Sequence, residues 1–465
     1  MFFQCIFTPG LAINSYVLGD EKSKKCVVID PTRHVVPYII QAQNAGLDII
    51  AILETHVHAD YVSGAKELKH QLNEKPQIYA SGMGGEKWVP HYVDIIVEKR
   101  TQINCGDLRL EPLHTPGHTP EHLVWICYDE SRSVTTPWFM FTGDCLFVGS
   151  VGRPDLLGDK EMGALAPQLY ETLFEKLSHL PDFVEIFPTH GEGSLCGKSL
   201  RSRSTSTIGF ERLFNPYLRK KALKQWIHDM KIGLSPLPNY FQRVKKINVE
   251  GPPLLSSLKV KNWDREKGAD FTDIFLVDVR HPELFAVSHI QGSLNIPFLH
   301  SFCQWAGWML PDEAPIGLIV EKGHIASEIV DQLRLMGFDQ EITVIQWEEV
   351  QKNFSGPFSS LPLMEIEELA KKQSRFESLY ILDVRTMEEW RTGYIQGSHH
   401  LELNLLEKEL KLLPHHQTIA LLCRSGQRGS LAASLLQKHG FPSVFNIRGG
   451  IQAWKQAGFE TVLIK

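Results

Sequence analysis

Short apolar, β-rich runs recur along the first half of this chain, with helical stretches between them. Runs such as NSYVLG (14–19), KCVVID (25–30), IIAILETH (49–56), LRLEPLHT (108–115), HLVWICY (122–128) and WFMFTGD (138–144) read as β-strands. Stretches such as VPYIIQAQNAG (36–46) and GAKELKHQL (64–72) have helical spacing and fall between them. Many strands with intervening helices predict a layered α/β or α+β domain over 1–235. Four prolines and two glycines then punctuate residues 233–253, which reads as a linker, placed over 236–255, or as the outer edge of the first domain.

Beyond the linker the pattern repeats. LVDVRHPELFAVSHIQGSLNIP starts at Leu276 and ILDVRTMEEWRTGYIQGSHHLEL at Ile381, so Asp278 matches Asp383, Arg280 matches Arg385, and IQGS recurs at 290–293 and 395–398. Further on, IGLIVEKGHIASEIVDQLRLMGF parallels IALLCRSGQRGSLAASLLQKHGF: an apolar strand, a glycine-centred loop, and an amphipathic helix ending at Gly-Phe. Each copy alternates strand and helix, which predicts two small α/β domains with parallel sheets, at 256–356 and 357–465.

Composition narrows the function classes. The 465 residues carry 54 acidic and 48 basic side chains, interspersed, for a net charge of −6. This balance argues against a nucleic-acid-binding surface or a polybasic membrane patch. No apolar run reaches the length of a membrane span. The N-terminus lacks the pattern of a secretory signal, and the eight cysteines lack CxxC pairs, which suits a reducing cytoplasm.

In LLCRSGQRGSLAASLL, Cys423 stands between a strand and a helix expected to start near Gly429. Backbone N–H groups and the helix dipole would then point at its sulfur, with Arg424 and Arg428 adding positive charge. Such surroundings depress a thiol's pKa and stabilise an anionic sulfur adduct. The Cys–Arg spacing is one residue shorter than a phosphatase loop, so the cradle suits a terminal sulfur better than a phosphate. Together with Asp383, Arg385, the Gly393–Ser398 turn, Gly449-Gly450-Ile451 and Trp454, this loop resembles the rhodanese (sulfurtransferase) family. The resemblance implies that Cys423 carries a persulfide, with Arg424 and Arg428 orienting an anionic donor or acceptor. In the first copy, Val320, Glu321 and Ile325 stand where Cys423, Arg424 and Arg428 stand in the second, so it resembles an inactive rhodanese.

In the first domain, strand ends carry His56 and His58 in THVHAD, His118 in HTPGHTPEH, Asp144 in FTGDCLF and His190 in FPTHGEG. One loop histidine is ordinary, whereas several in the same context point to a shared metal ion. His114 and His122 flank His118 at helical spacing, but Pro116, Gly117 and Pro120 argue against a helix, so both read as structural.

The order THxHxD, PGHT, TGD, THG resembles the metallo-β-lactamase superfamily, implying an αββα sandwich with metal at one edge. In its two-metal hydrolases, such as glyoxalase II, a histidine follows the aspartate; here Tyr61 does, and a phenol ligates less readily. VGRPDLLG (151–158) and THGEGSLCGKSLRSRSTSTIGFER (189–212) further resemble the persulfide dioxygenase branch. That branch implies His56, His118 and Asp144 as ligands of one Fe(II) per chain, with open positions for substrate sulfur and O₂. His58, Asp60 and His190 are then expected to orient the ligands by hydrogen bonds, and Arg153 to meet an anionic thiol-persulfide carrier. Cys196, close to His190 in sequence, is a candidate for handling sulfur.

The expected activity is oxidation of a low-molecular-weight thiol persulfide by O₂ to sulfite, followed by sulfur transfer through Cys423 to give thiosulfate. The expected partners are therefore the persulfide, O₂ and sulfite, and the middle repeat offers a surface for a homo-oligomer. The rival expectation is a zinc thiolester hydrolase resembling glyoxalase II, fused to a sulfurtransferase.

Overall fold

The computed structural model describes all residues except 193, 195, 198–202, 233, 235, 265–270, 272, 322–324, 376–378 and 464–465. It divides into two compact units, one formed by Met1–Leu258 with Asp331–Asp339, the other by Lys259–Val330 with Gln340–Lys465.

Two six-stranded sheets make up the first unit. One takes its strands in chain order: Phe2–Thr8, Ile13–Asp20, Lys25–Ile29, Asp48–Leu53, Gln77–Ser81 and Ile95–Val97. The other runs Ser206–Thr207, Glu185–Pro188, Phe139–Gly143, Leu123–Asp129, Leu108–His114 and Ile103–Cys105. Alternate residues divide between the faces, because successive strand side chains point to opposite sides. Leu18, Val27, Ile29, Ala51 and Leu53 of the first sheet pack with Leu110, Leu123, Trp125, Phe139 and Phe141 of the second. Val17, Cys26, Val28 and Ile52 turn instead to the helices Val36–Asn44 and Ala65–Gln71. On the far side, Val124, Ile126, Met140 and Ile186 meet Leu169 of the helix Asp159–Glu171 and Trp226 of the helix Leu223–Lys231. The result is the expected αββα sandwich, and burial of the strands on both faces explains their continuous apolar runs.

The expected linker is different. Residues 236–255 hold the helix Tyr240–Glu250, which packs within the first unit through buried Tyr240, Phe241, Val244 and Asn248. Those positions follow i, i+1, i+4, i+8, an amphipathic stripe that the surrounding prolines obscured.

In the second unit each repeat forms a five-stranded parallel sheet. The first runs Val260–Asn262, Ile342–Gln346, Ile316–Val320, Phe275–Asp278, Leu294–Asn295; the second runs Leu363–Met364, Val444–Ile447, Thr418–Leu422, Leu379–Asp383, His399–His400. Register confirms that the copies are equivalent: Asp278 pairs with Ile319 as Asp383 pairs with Leu422. Val320 therefore occupies the place of Cys423. In both copies the aspartate at the strand end is buried against the arginine two residues on, with closest contacts of 2.6 Å for Asp278–Arg280 and 2.7 Å for Asp383–Arg385.

Candidate metal centre and sulfur loop

The metal-site candidates lie on loops that leave the C-terminal ends of strands at one edge of the sandwich. His56 follows Asp48–Leu53, His118 follows Leu108–His114, Asp144 follows Phe139–Gly143 and His190 follows Glu185–Pro188. Gly143 lets these loops close: its φ is +51°, and a Cβ there would meet His122 Nε2 at 2.6 Å and Thr55 Oγ1 at 2.7 Å.

One ligand atom each from His56, His118 and Asp144 lies within 4.8 Å of the others, and all three residues are buried. His118 Nε2 is 3.3 Å and His56 Nε2 3.9 Å from Asp144 Oδ2. The outward nitrogens are already engaged. His56 Nδ1 is 3.0 Å from Thr55 Oγ1, and His118 Nδ1 is 3.0 Å from the Arg153 carbonyl. The inward Nε2 atoms of both histidines and both Asp144 oxygens have no hydrogen-bond partner. Buried polar atoms without partners are costly, so this convergence fits a metal cation. Burial pushes His118 down to about 3 and holds His56 well below its ordinary value, the neighbouring His58 adding to the latter. Both imidazoles are thus neutral, as ligation requires. Burial pushes the Asp144 carboxyl up to about 6.

The remaining expected residues separate into two groups. His190 Nε2 lies 3.2 Å from Asp60 Oδ2 and 3.5 Å from Asp144 Oδ1, and Asp60, His190 and Cys196 bring ligand-type atoms within 4.8 Å of one another. The Cys196 thiol lies beside Asp144, and burial, followed by Asp60 and Asp144, raises it well above a normal thiol. Asp60, His190 and Cys196 therefore border the candidate metal.

His58 turns elsewhere. Its Nε2 faces Asp30 Oδ1 at 3.2 Å, Glu54 Oε2 at 3.4 Å and the Tyr61 hydroxyl at 3.0 Å. Burial opposes charge on this imidazole, but Asp30 and Glu54 outweigh it and raise His58 well above its ordinary value. His58 Nε2 thus serves a buried carboxylate pair that local sequence could not show.

Arg153 lies close by. It is 2% exposed and its guanidinium makes two 2.7 Å bonds to Asp155, so its side chain is committed inside the protein. Its contribution to the site is the carbonyl that holds His118.

Two neighbouring residues support the site, His122, read from the sequence as structural, and Glu121, which the motifs did not single out. His122 Nε2 accepts from the Asp144 N–H at 3.0 Å, while its Nδ1 is 2.8 Å from Thr115 Oγ1. Glu121, pushed up to about 7 by burial, accepts from the Val57 N–H at 2.9 Å. Nothing in the local sequence distinguished Glu121. Gly193 and residues 198–202 of the expected family segment lie outside the described residues.

In the second repeat, Cys423 is buried at the end of Thr418–Leu422, and its sulfur accepts from the Gly426 N–H at 3.1 Å. Gly426, at φ +92°, turns the chain into a helix spanning Gln427–Lys438, two residues earlier than expected. The N–H groups of Ile451 and Gln452 bind the Cys423 and Arg424 carbonyls at 2.8 and 3.1 Å, which fixes the loop from the next helix, Gly450–Gln456. Arg424 is exposed. Arg428, expected to meet substrate, donates two 2.6 Å bonds to Glu389. That pairing crosses 39 residues and was invisible in the loop motif.

The metallo-beta-lactamase superfamily model matches residues 8–190, and the rhodanese-like domain model matches 365–457. The chain is 30% identical over 216 residues to the mitochondrial persulfide dioxygenase ETHE1 of Mus musculus, covering 46% of this chain and 74% of that one. It is 31% identical over 229 residues to the cytoplasmic isozyme of hydroxyacylglutathione hydrolase of Saccharomyces cerevisiae, covering 44% and 81%. Among solved structures, a metallo-beta-lactamase from Staphylococcus aureus subsp. aureus COL superposes with a TM-score of 0.67 at 32% identity, covering 74% of this chain and 98% of that one.

Proposed function

The chain belongs to the metallo-beta-lactamase superfamily and ends in a rhodanese-like domain, and from that premise we propose that it is a persulfide dioxygenase coupled to a sulfurtransferase. The first domain takes R–SSH, O₂ and water to R–SH, sulfite and two protons. At Cys423, R–SSH leaves its outer sulfur on the thiolate and departs as R–SH; attack of sulfite on that sulfur then gives thiosulfate and frees the thiolate. One chain thus consumes its own reactive product, and tethering raises the local sulfite concentration.

The observation that carries this reading is the set of unpartnered atoms on His56, His118 and Asp144. Two neutral imidazoles and a carboxylate match the facial triad of non-haem Fe(II), which supplies open positions for O₂ and sulfur. Thr55, the Arg153 carbonyl and His122 keep these three residues aimed. Tyr61 stands where a two-metal hydrolase carries a histidine, and its hydroxyl is directed to His58 and the Asp30 carbonyl. To Cys196, whose thiol is buried beside Asp60 and Asp144, we assign the receipt or relay of sulfur at the metal edge. The substrate is a low-molecular-weight thiol persulfide, and the setting a reducing cytoplasm, consistent with eight free cysteines. No helix among the described residues is long and apolar enough to cross a membrane.

Metal analysis with oxygen uptake tests the proposal: one iron per chain and persulfide-dependent O₂ consumption are expected. A second reading, a zinc thiolester hydrolase, draws on the Asp60–His190–Cys196 cluster as a further metal position and on the likeness to hydroxyacylglutathione hydrolase. Two zincs per chain with thiolester cleavage and no oxygen uptake would replace the first reading by the second.

A further inference from the structure

The helix Tyr240–Glu250 carries one polar side chain deep in its buried face. Asn248 is 2% exposed, and its amide makes three hydrogen bonds, all to the loop that bears His56. Nδ2 donates to the His58 carbonyl at 2.8 Å and the Tyr61 carbonyl at 2.9 Å, while Oδ1 accepts from the Ser63 N–H at 2.9 Å. Apart from an isolated bridge between Ser63 and Thr32, this part of the loop has no β pairing, so its other buried peptide groups need partners from elsewhere. A primary amide supplies two donors and an acceptor from one small group, which neither a carboxylate nor a hydroxyl does.

A second support comes from residues 331–339, which belong to the first unit although they end a helix of the first repeat. The Val62 N–H, next to the Asn248 contacts, donates to the Leu335 carbonyl at 2.8 Å. Arg33 fastens that segment: it donates to the Arg334 carbonyl at 2.9 Å, pairs with Asp339 at 2.6 Å, and donates to the Pro253 carbonyl at 2.7 Å. Between His58 and Ser63, the loop is therefore held by Asn248 and by residues 331–339 of the same unit.

We propose that Asn248 is a positioning residue for the metal-bearing loop, backed by residues 331–339 of the same unit. The inference rests on His56, His118 and Asp144 as the metal ligands. Without Asn248 the loop can relax, and His56 and Asp60 lose their fixed positions relative to His118 and Asp144. Removing outer supports of metal ligands typically weakens affinity by about 10- to 100-fold.

The test uses the full chain. Asn248→Asp keeps the size and the acceptor for Ser63 but removes both donations. Co(II) and Fe(II) affinities are measured anaerobically by chelator competition, with the visible spectrum of the Co(II) form reporting ligand geometry. The expected result is a fall in affinity of about 10-fold or more with an altered Co(II) spectrum, while persulfide transfer through Cys423 keeps its rate. Affinity within threefold and an unchanged spectrum would overturn the role of Asn248. Asp339→Ala, which loosens the 331–339 segment, decides the matter should the first variant not fold. Faster exchange of the Val62 amide and weaker metal binding are expected, and no change in either would overturn the proposal. His118→Ala separates the premise: if it binds metal as tightly as the parent, the ligand assignment has failed rather than the role of Asn248.

Discussion

Glu389→Gln is the most informative substitution in the sulfurtransferase loop. Glu389 holds Arg428 by two 2.6 Å bonds, with the arginine side chain 16% and the carboxylate 30% exposed. Glu389 also accepts from the Thr386 N–H at 3.1 Å in a capping box, a place glutamine fills equally well. The substitution therefore removes a charge with little change in shape. Burial disfavours a charged Arg428, but Glu389 and, after it, Cys423 raise its pKa above normal. Two unit charges about 4 Å apart interact by about 1 kcal/mol in water and about 4 kcal/mol at an effective dielectric of 20. For a partly exposed pair we take about 1–2 kcal/mol. If that attraction is redirected to sulfite, the KM for sulfite falls by about 5- to 30-fold. The assay follows thiosulfate formation from a persulfide against sulfite concentration, at two ionic strengths. A KM that stays constant or rises would refute the reasoning, since Arg428 would then either ignore the acceptor or need Glu389 to face it.

Replacing Cys423 by serine should leave oxygen uptake intact and shift the product from thiosulfate to sulfite, as read by anion chromatography. Asp383→Ala strands a buried guanidinium, and breaking such a pair costs about 3–5 kcal/mol; a calorimetric Tm unchanged within a degree would contradict this. Burial lifts the Asp144 carboxyl to about 6 from its ordinary 3.8, so between these values the metal-free fold keeps a proton that the unfolded chain has lost. Stability of the metal-free protein should therefore fall as pH rises through this window, and it should be fully present below it. Metal affinity should rise over the same range by up to about tenfold per pH unit and level off above about 6, as titration calorimetry would show. Cys196→Ser should lower persulfide-dependent oxygen uptake while iron content stays at one per chain; full uptake would remove Cys196 from sulfur handling.

Local pattern carried much of this protein. Strand ends bearing His56, His118, Asp144 and His190 were legible because each is a short motif beside a glycine or proline turn; the apolar rhythm gave a layered domain, and the αββα sandwich came only from the resemblance those motifs carry. The repeat, and the loss of cysteine from its first copy, needed only one part of the chain to be compared with another. Pairings between distant residues were another matter. The bonds from Arg428 to Glu389, from His58 to Asp30 and from Asn248 to the His58–Ser63 loop join positions 39, 28 and up to 190 residues apart. Arg153 and Asp155 are close in sequence, yet only packing decided that they face each other inside the protein. A motif specifies which chemical groups a loop offers, because spacing and turn residues act locally. Whether a charge faces substrate or a buried partner depends on which surfaces the folded chain brings together, and that was settled by tertiary structure alone.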